Sequence, residues 1–148
     1  MRWIQISLLL VLAACGVGSW VEIRGDRIVS GGGRVVVLSY QNPPLYLLSA
    51  DLVEELEGPP RLVRLRSSDS LERLREVWRE QLQTAGWWEV CQEYLGVPLF
   101  GGPYLRLRYN KELQDISLLA QPDGPYTYRV ELRRPPARQG PILGCPLD

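Results

Sequence analysis

Two hydrophobic periods organise the chain between Leu62 and Arg133. Over "SSDSLERLREVWREQLQTAG", Leu71, Leu74, Trp78, Leu82 and Ala85 recur at three- and four-residue spacing, with Val77 beside them. That spacing predicts an amphipathic helix with one apolar stripe. Asp69 and Glu72 stand at capping-box spacing and Gly86 sits where a C′ glycine belongs. Glu72 with Arg75 and Glu76 with Arg79 are expected as i,i+3 pairs on the wet side. So narrow a stripe packs on a sheet. A coiled-coil seam would need several more turns.

Beyond the helix the period falls to two. Trp88, Val90 and Tyr94 are expected on one face, opposite Trp87, Glu89, Cys91 and Glu93. Leu105, Leu107 and Tyr109 alternate with Tyr104, Arg106 and Arg108. Ile116, Leu118 and Ala120 alternate with Asp115, Ser117 and Leu119, and Tyr128, Val130 and Leu132 with Thr127, Arg129, Glu131 and Arg133. Asn110-Lys111-Glu112 and Pro122-Asp123-Gly124-Pro125 are the expected turns. The pattern predicts an α+β fold: one main helix packed on an antiparallel β-meander, with an N-terminal β-rich segment.

That segment reads as a strand at Trp20 to Arg24, a Gly25-Asp26 turn and a return over Arg27 to Val29. The glycines at 31–33 precede the β-branched Val35-Val36-Val37, so they form a loop before a strand. A phosphate cradle would need a helix there. Asn42-Pro43-Pro44 interrupts the chain. Asp51 to Glu57 is expected as one or two helical turns, with Asp51 and Glu54 at capping spacing, and Leu62 to Arg66 as a strand. A strand, a helix ending in "AGW" and a meander are similar to small domains common in secreted bacterial proteins and lipoproteins, a likeness of architecture that implies no activity.

The N-terminus carries a different signal. Arg2 supplies a short positive region, and Ile4 to Ala14 is apolar apart from Gln5 and Ser7. A membrane-spanning helix needs about 20 apolar residues, so this run has the length of a signal-peptide core. Leu12-Ala13-Ala14-Cys15 resembles the lipobox of bacterial lipoproteins. The resemblance implies that residues 1–14 are removed as a signal peptide and that Cys15 carries the lipid. Two or three acyl chains would anchor the protein stably, where one is marginal. Residues 15–19 would then be a short tether and 20–148 a single domain. Gly16 lacks the aspartate that retains many lipoproteins in the inner membrane. The resemblance thus implies the outer membrane where the host has one, and otherwise the cell membrane. With Cys15 lipidated, Cys91 and Cys145 are left as an even pair outside the cytoplasm, where disulfides persist. A bond between them would hold the proline-rich tail.

Composition removes several classes of function. The 148 residues suit one domain, and 45% hydrophobic with 23% charged residues exclude wholesale disorder. Net charge is zero, so no nucleic-acid partner is expected. The chain has no histidine, which eliminates imidazole-based catalysis and the commonest metal ligand. No nucleophile elbow, zinc set or calcium loop appears, so no enzyme activity, cofactor or metal is expected. The candidate binding face is an arginine-aromatic patch of Tyr104, Arg106, Arg108, Arg129 and Arg133, which Arg34, Arg61, Arg64 and Arg66 would extend. It would suit phosphates, carboxylates or a glycan. The competing reading pairs these arginines with Glu131 and Asp115 across strands, for solubility alone.

Together these readings give a lipid-anchored, non-catalytic interaction or accessory module with a membrane and an envelope protein as partners. The alternative is a lipoprotein binding an anionic lipid or cell-wall polymer through the arginine face, and a remoter one a carboxylate-based hydrolase. Trp20, close to the anchor, is an expected interfacial residue. Lipidation has a direct check: wild-type protein should partition into the detergent phase and carry an acyl mass increment, and Cys15→Ala should do neither.

Overall fold

The computed structural model describes residues 20–25, 27–31, 34–56, 58–99, 101–140 and 142–148. The expected signal segment 1–14, Cys15 and the expected tether 15–19 lie outside the described residues, as do Asp26, Gly32, Gly33 and Glu57. The fold is α+β, mostly antiparallel strand with one helix. Its strands are β1 (Trp20–Arg24), β2 (Arg27–Gly31), β3 (Val35–Ser39), β4 (Leu45–Leu48), β5 (Ala50–Leu56), β6 (Arg61–Ser67), β7 (Trp88–Leu95), β8 (Tyr104–Lys111), β9 (Gln114–Gly124) and β10 (Thr127–Arg133). The helix, α1 (Leu71–Thr84), falls between β6 and β7.

Six strands form one antiparallel sheet in the order β5-β6-β10-β9-β8-β7, and β1-β2 and β3-β4 form separate two-stranded ribbons. Because β6 lies near one edge and β7 at the other, α1 carries the chain across the whole sheet face. Its stripe of Leu71, Leu74, Trp78 and Leu82 is buried against Leu105, Leu107, Tyr109, Ile116, Leu118 and Val130. Trp78 is fully buried, and burying an aromatic of this size contributes on the order of 3 kcal/mol. The β3-β4 ribbon covers the rest of this inner face through Val36, Leu38, Leu45 and Leu47. Gln81 of α1 joins the ribbon by accepting from the Tyr46 N–H and donating to the Tyr46 carbonyl, at 3.0 and 3.1 Å. One side-chain amide thus satisfies both backbone groups of Tyr46 on the outer edge of β4.

Both ends of α1 are closed, though the start differs from the expected capping box. Ser70 is the N-cap, its Oγ accepting from the Arg73 N–H at 3.1 Å. Asp69 is held in the preceding loop, where its N–H reaches Ser67 and its carbonyl accepts the Tyr128 hydroxyl. At the far end Gly86 takes φ +83°, as a C′ residue does, and the Lys111 ammonium donates to the Ala85 carbonyl at 3.0 Å. The last turn has no basic residue of its own, so the chain's one lysine reaches it from β8. Of the expected helix pairs Glu72–Arg75 forms at 3.4 Å, but Glu76–Arg79 does not. Glu76 pairs with Arg73 instead, and Arg79 turns to Glu89 on β7.

Three further expectations are corrected. The acidic stretch that begins at Asp51, expected as helix, is strand β5 as far as Leu56. So short a helix has no packing to offset its nucleation cost, whereas β6 offers a free edge. Asp51 and Glu55 pair there with Arg34 and Arg61, at 3.2 and 2.8 Å. On β7 a bulge between Glu89 and Cys91 shifts the register and changes the faces. Glu89 and Tyr94 oppose inward-facing Tyr109 and Leu105, while Trp88, Cys91 and Glu93 oppose Asn110, Arg108 and Arg106 on the other side. Trp87 is core and Trp88 is exposed. The turns are also tighter than expected. The chain reverses at Glu112-Leu113 and Pro125-Tyr126, and Asn110, Lys111, Pro122, Asp123 and Gly124 belong to strands.

Moving the cap from Asp69 to Ser70 has a measurable consequence. Ser70→Ala should lower stability in urea unfolding by about 1 kcal/mol, and Asp69→Ala should change it by less than about 0.5 kcal/mol.

Candidate functional site

The outer face of the sheet, opposite α1, carries all five residues of the expected patch, but the structure divides them. Arg108 is 1% exposed, which removes it from any binding surface. Its Nε donates to Asp115 at 2.7 Å, and its Nη1 donates to the Pro146 carbonyl and the Asp148 carboxylate at 2.9 and 3.4 Å. Asp115, equally buried, also accepts from the Asn110 amide at 2.7 Å and the Arg138 N–H at 3.4 Å. This is the cross-strand pairing of the competing reading, sunk beneath the C-terminal segment. That segment leaves β10 at Arg133, bridges Gln114 through Pro136 and is joined to β7 by the Cys91–Cys145 disulfide. Closing a loop with a sequence separation of 54 is worth roughly 4 kcal/mol in the chain-entropy model.

The other four residues stay at the surface, and three are engaged. The Tyr104 hydroxyl donates to the Glu93 carboxylate, which raises its pKa above the ordinary phenol value. Arg106 lies 5.1 Å from the Tyr104 ring centroid and 3.9 Å from Glu93. Arg133 holds Glu131 at 2.6 Å. Arg129 alone is exposed without a carboxylate partner among the described residues. It stands opposite Arg64, whose charge is met by Asp123 at 2.8 Å. Of the proposed extensions, Arg34 and Arg61 are tied to β5 acids, and Arg66 is exposed on β6.

Two other surfaces stand out. Strand β5 is a sheet edge, and Leu52, Val53 and Leu56 are 49%, 42% and 52% exposed along it. A bulge between Leu52 and Glu54 and the acids at 51, 54 and 55 blunt it against indiscriminate strand pairing. The second is a cleft of about 720 Å³ at the end of the sheet where β10 passes into the tail. It lies between the β3-β4 connection, the β5-β6 turn and the Arg133–Pro136 stretch. Arg134 lines it, its guanidinium donating to the Ser39 Oγ at 2.7 Å and the Gln41 carbonyl at 3.2 Å, and also to the Asn42 carbonyl. Burial lowers its pKa from the ordinary arginine value.

No protein-family model, curated protein or solved structure matches the chain. Residue chemistry is therefore the available guide. Reading the sequence alone missed Arg134, because "ELRRPPARQG" looks like a polar strand end followed by linker. The Arg-Arg-Pro-Pro run was the available signal: two prolines fix the chain direction immediately after a cation.

The two kinds of ion pair on this face should separate in unfolding experiments run with the disulfide intact. Asp115→Ala strands a buried guanidinium and should cost about 3–5 kcal/mol. Glu131→Ala removes a solvent-facing pair and should cost under about 1 kcal/mol.

Proposed function

We propose that the protein is a lipid-anchored extracytoplasmic lipoprotein that acts by binding rather than catalysis, as an interaction or accessory module at the membrane surface. Its scaffold in this reading is one main helix on an antiparallel meander, β7 to β10. Leu12-Ala13-Ala14-Cys15 supports the anchor, and the position of β1 supports the geometry. Four residues separate Cys15 from Trp20, the first residue of β1, and so few span at most about 15 Å. The domain is thereby held against the bilayer, in the outer membrane where the host has one, within reach of other envelope proteins.

The observation that carries the interaction reading is the β5 edge. Exposed Leu52, Val53 and Leu56 on the edge strand of the sheet offer backbone hydrogen bonds and apolar contacts to a protein partner. The alternative, an anionic lipid or cell-wall polymer held by the arginine-aromatic face, has less support. Arg108 is buried, and Glu93 and Glu131 already meet Arg106 and Arg133.

In-cell cross-linking of the lipidated protein, with Cys15→Ala as the mislocalised control, tests the proposal. The expected result is one envelope protein captured by the wild type and lost in both Cys15→Ala and a Val53→Lys form. Recovery of lipid or glycan with no protein would overturn the interaction reading in favour of the arginine face.

A further inference from the structure

We propose that the cleft beside Arg134 binds a small anionic amphiphile, a single carboxylate or phosphate on an apolar body. The inference is independent of the anchor and of the β5 surface. Three features carry it: size, lining and charge.

About 720 Å³ lies within the range of small-molecule sites, roughly 300–1,000 Å³. Leu38 and Leu132, 1% and 7% exposed, line it from the core side. Pro59, Pro60 and Pro135 add rigid apolar walls with no backbone N–H to satisfy, and Tyr40, 54% exposed, stands at the solvent side. These surfaces favour an apolar body, which inorganic phosphate lacks.

The charges then select a ligand with one anionic group. Arg61 and Arg133 reach the cleft already paired, with Glu55 at 2.8 Å and Glu131 at 2.6 Å. Asp148 is matched by Arg108 and Arg138, at 3.4 and 3.6 Å. Arg134 is the lining cation with no carboxylate partner among the described residues. Its three hydrogen bonds all go to neutral oxygens, of Ser39, Gln41 and Asn42, so its position is held while its charge is left uncompensated. A guanidinium has five N–H donors, which leaves two for a ligand. Because the side chain is already ordered, little rotamer entropy remains to be lost when an anion binds. A polyanion would require a row of such cations. The cleft presents one.

The test is calorimetry on the full chain in detergent micelles, with empty micelles subtracted. The probes are 4-phenylbutyrate, phenyl phosphate, 4-phenylbutanol and inorganic phosphate. Saturable binding is expected for at least one aromatic anion, with the neutral alcohol about tenfold weaker or worse, and the preferred anion identifies the source as carboxylate or phosphate. Arg134→Gln should weaken that anion by about tenfold or more. Because Arg134 also ties the tail to the β3-β4 connection, Tyr40→Glu is the second variant. It alters an exposed side chain, should keep the wild-type circular dichroism and should also lose binding by like-charge repulsion. Arg129→Gln, on the sheet face outside the cleft, should bind as wild type. Equal affinity for alcohol and anion, no saturable binding of either aromatic anion, or unchanged binding in a folded Tyr40→Glu would overturn the proposal. Inorganic phosphate binding as tightly as phenyl phosphate would overturn its apolar half. None of these outcomes bears on lipidation or on cross-linking at β5.

Discussion

The buried pair of Arg108 and Asp115 is the constraint on which the outer half of the structure depends. Two charges removed from water need near-complete compensation, because each desolvated ion costs several kcal/mol. Here the compensation comes partly from the strands, through Asn110, and partly from the C-terminal segment, through the Pro146 carbonyl, the Asp148 carboxylate and the Arg138 N–H. The tail is therefore a working part of the core electrostatics. Without it a strand side chain that alternation assigns to solvent would have no place inside. The Cys91–Cys145 bond holds that tail one residue from the Pro146 carbonyl, so covalent and ionic restraints act on the same turn of chain.

The sheet is consequently covered on both faces by different means. On one side the cover is apolar: α1 and the β3-β4 ribbon bury leucine, valine and tryptophan. Over part of the other it is polar and chain-terminal, and it leaves Arg106, Arg129 and Arg133 at the surface. The cleft beside Arg134 forms where the two covers meet, because the proline-rich tail must turn off the end of β10 before crossing the sheet. An arginine at that corner satisfies the carbonyls of the β3-β4 connection and retains a charge that no acid among the described residues meets.

Much of the inner face was legible from residue spacing. The stripe Leu71, Leu74, Trp78, Leu82 and the alternations in β8, β9 and β10 report burial directly, since period and face are tied by backbone geometry. Legibility failed where one residue changes the outcome. The β7 bulge reverses the face of every residue beyond it, and no pattern in "WWEVCQEYL" announces it. The acidic stretch "DLVEEL" suits a helix by propensity, yet an available neighbour at β6 makes it a strand. Arg108 shares its face with Arg106, and alternation treats the two alike. Only the distant C-terminal segment distinguishes them.

The sequence by itself determined the α+β class, the helix with its C′ glycine and the inward faces of three central strands, and its cysteine count led to the expectation of a Cys91–Cys145 pair. Each of these rests on local geometry or counting, which need no knowledge of distant chain. Tertiary structure decided the strand order, the burial of Arg108 with Asp115, the edge position of β5 and the cleft beside Arg134. These depend on which remote segments meet, and an arginine's charge is compensated or left open only by what the fold brings to it.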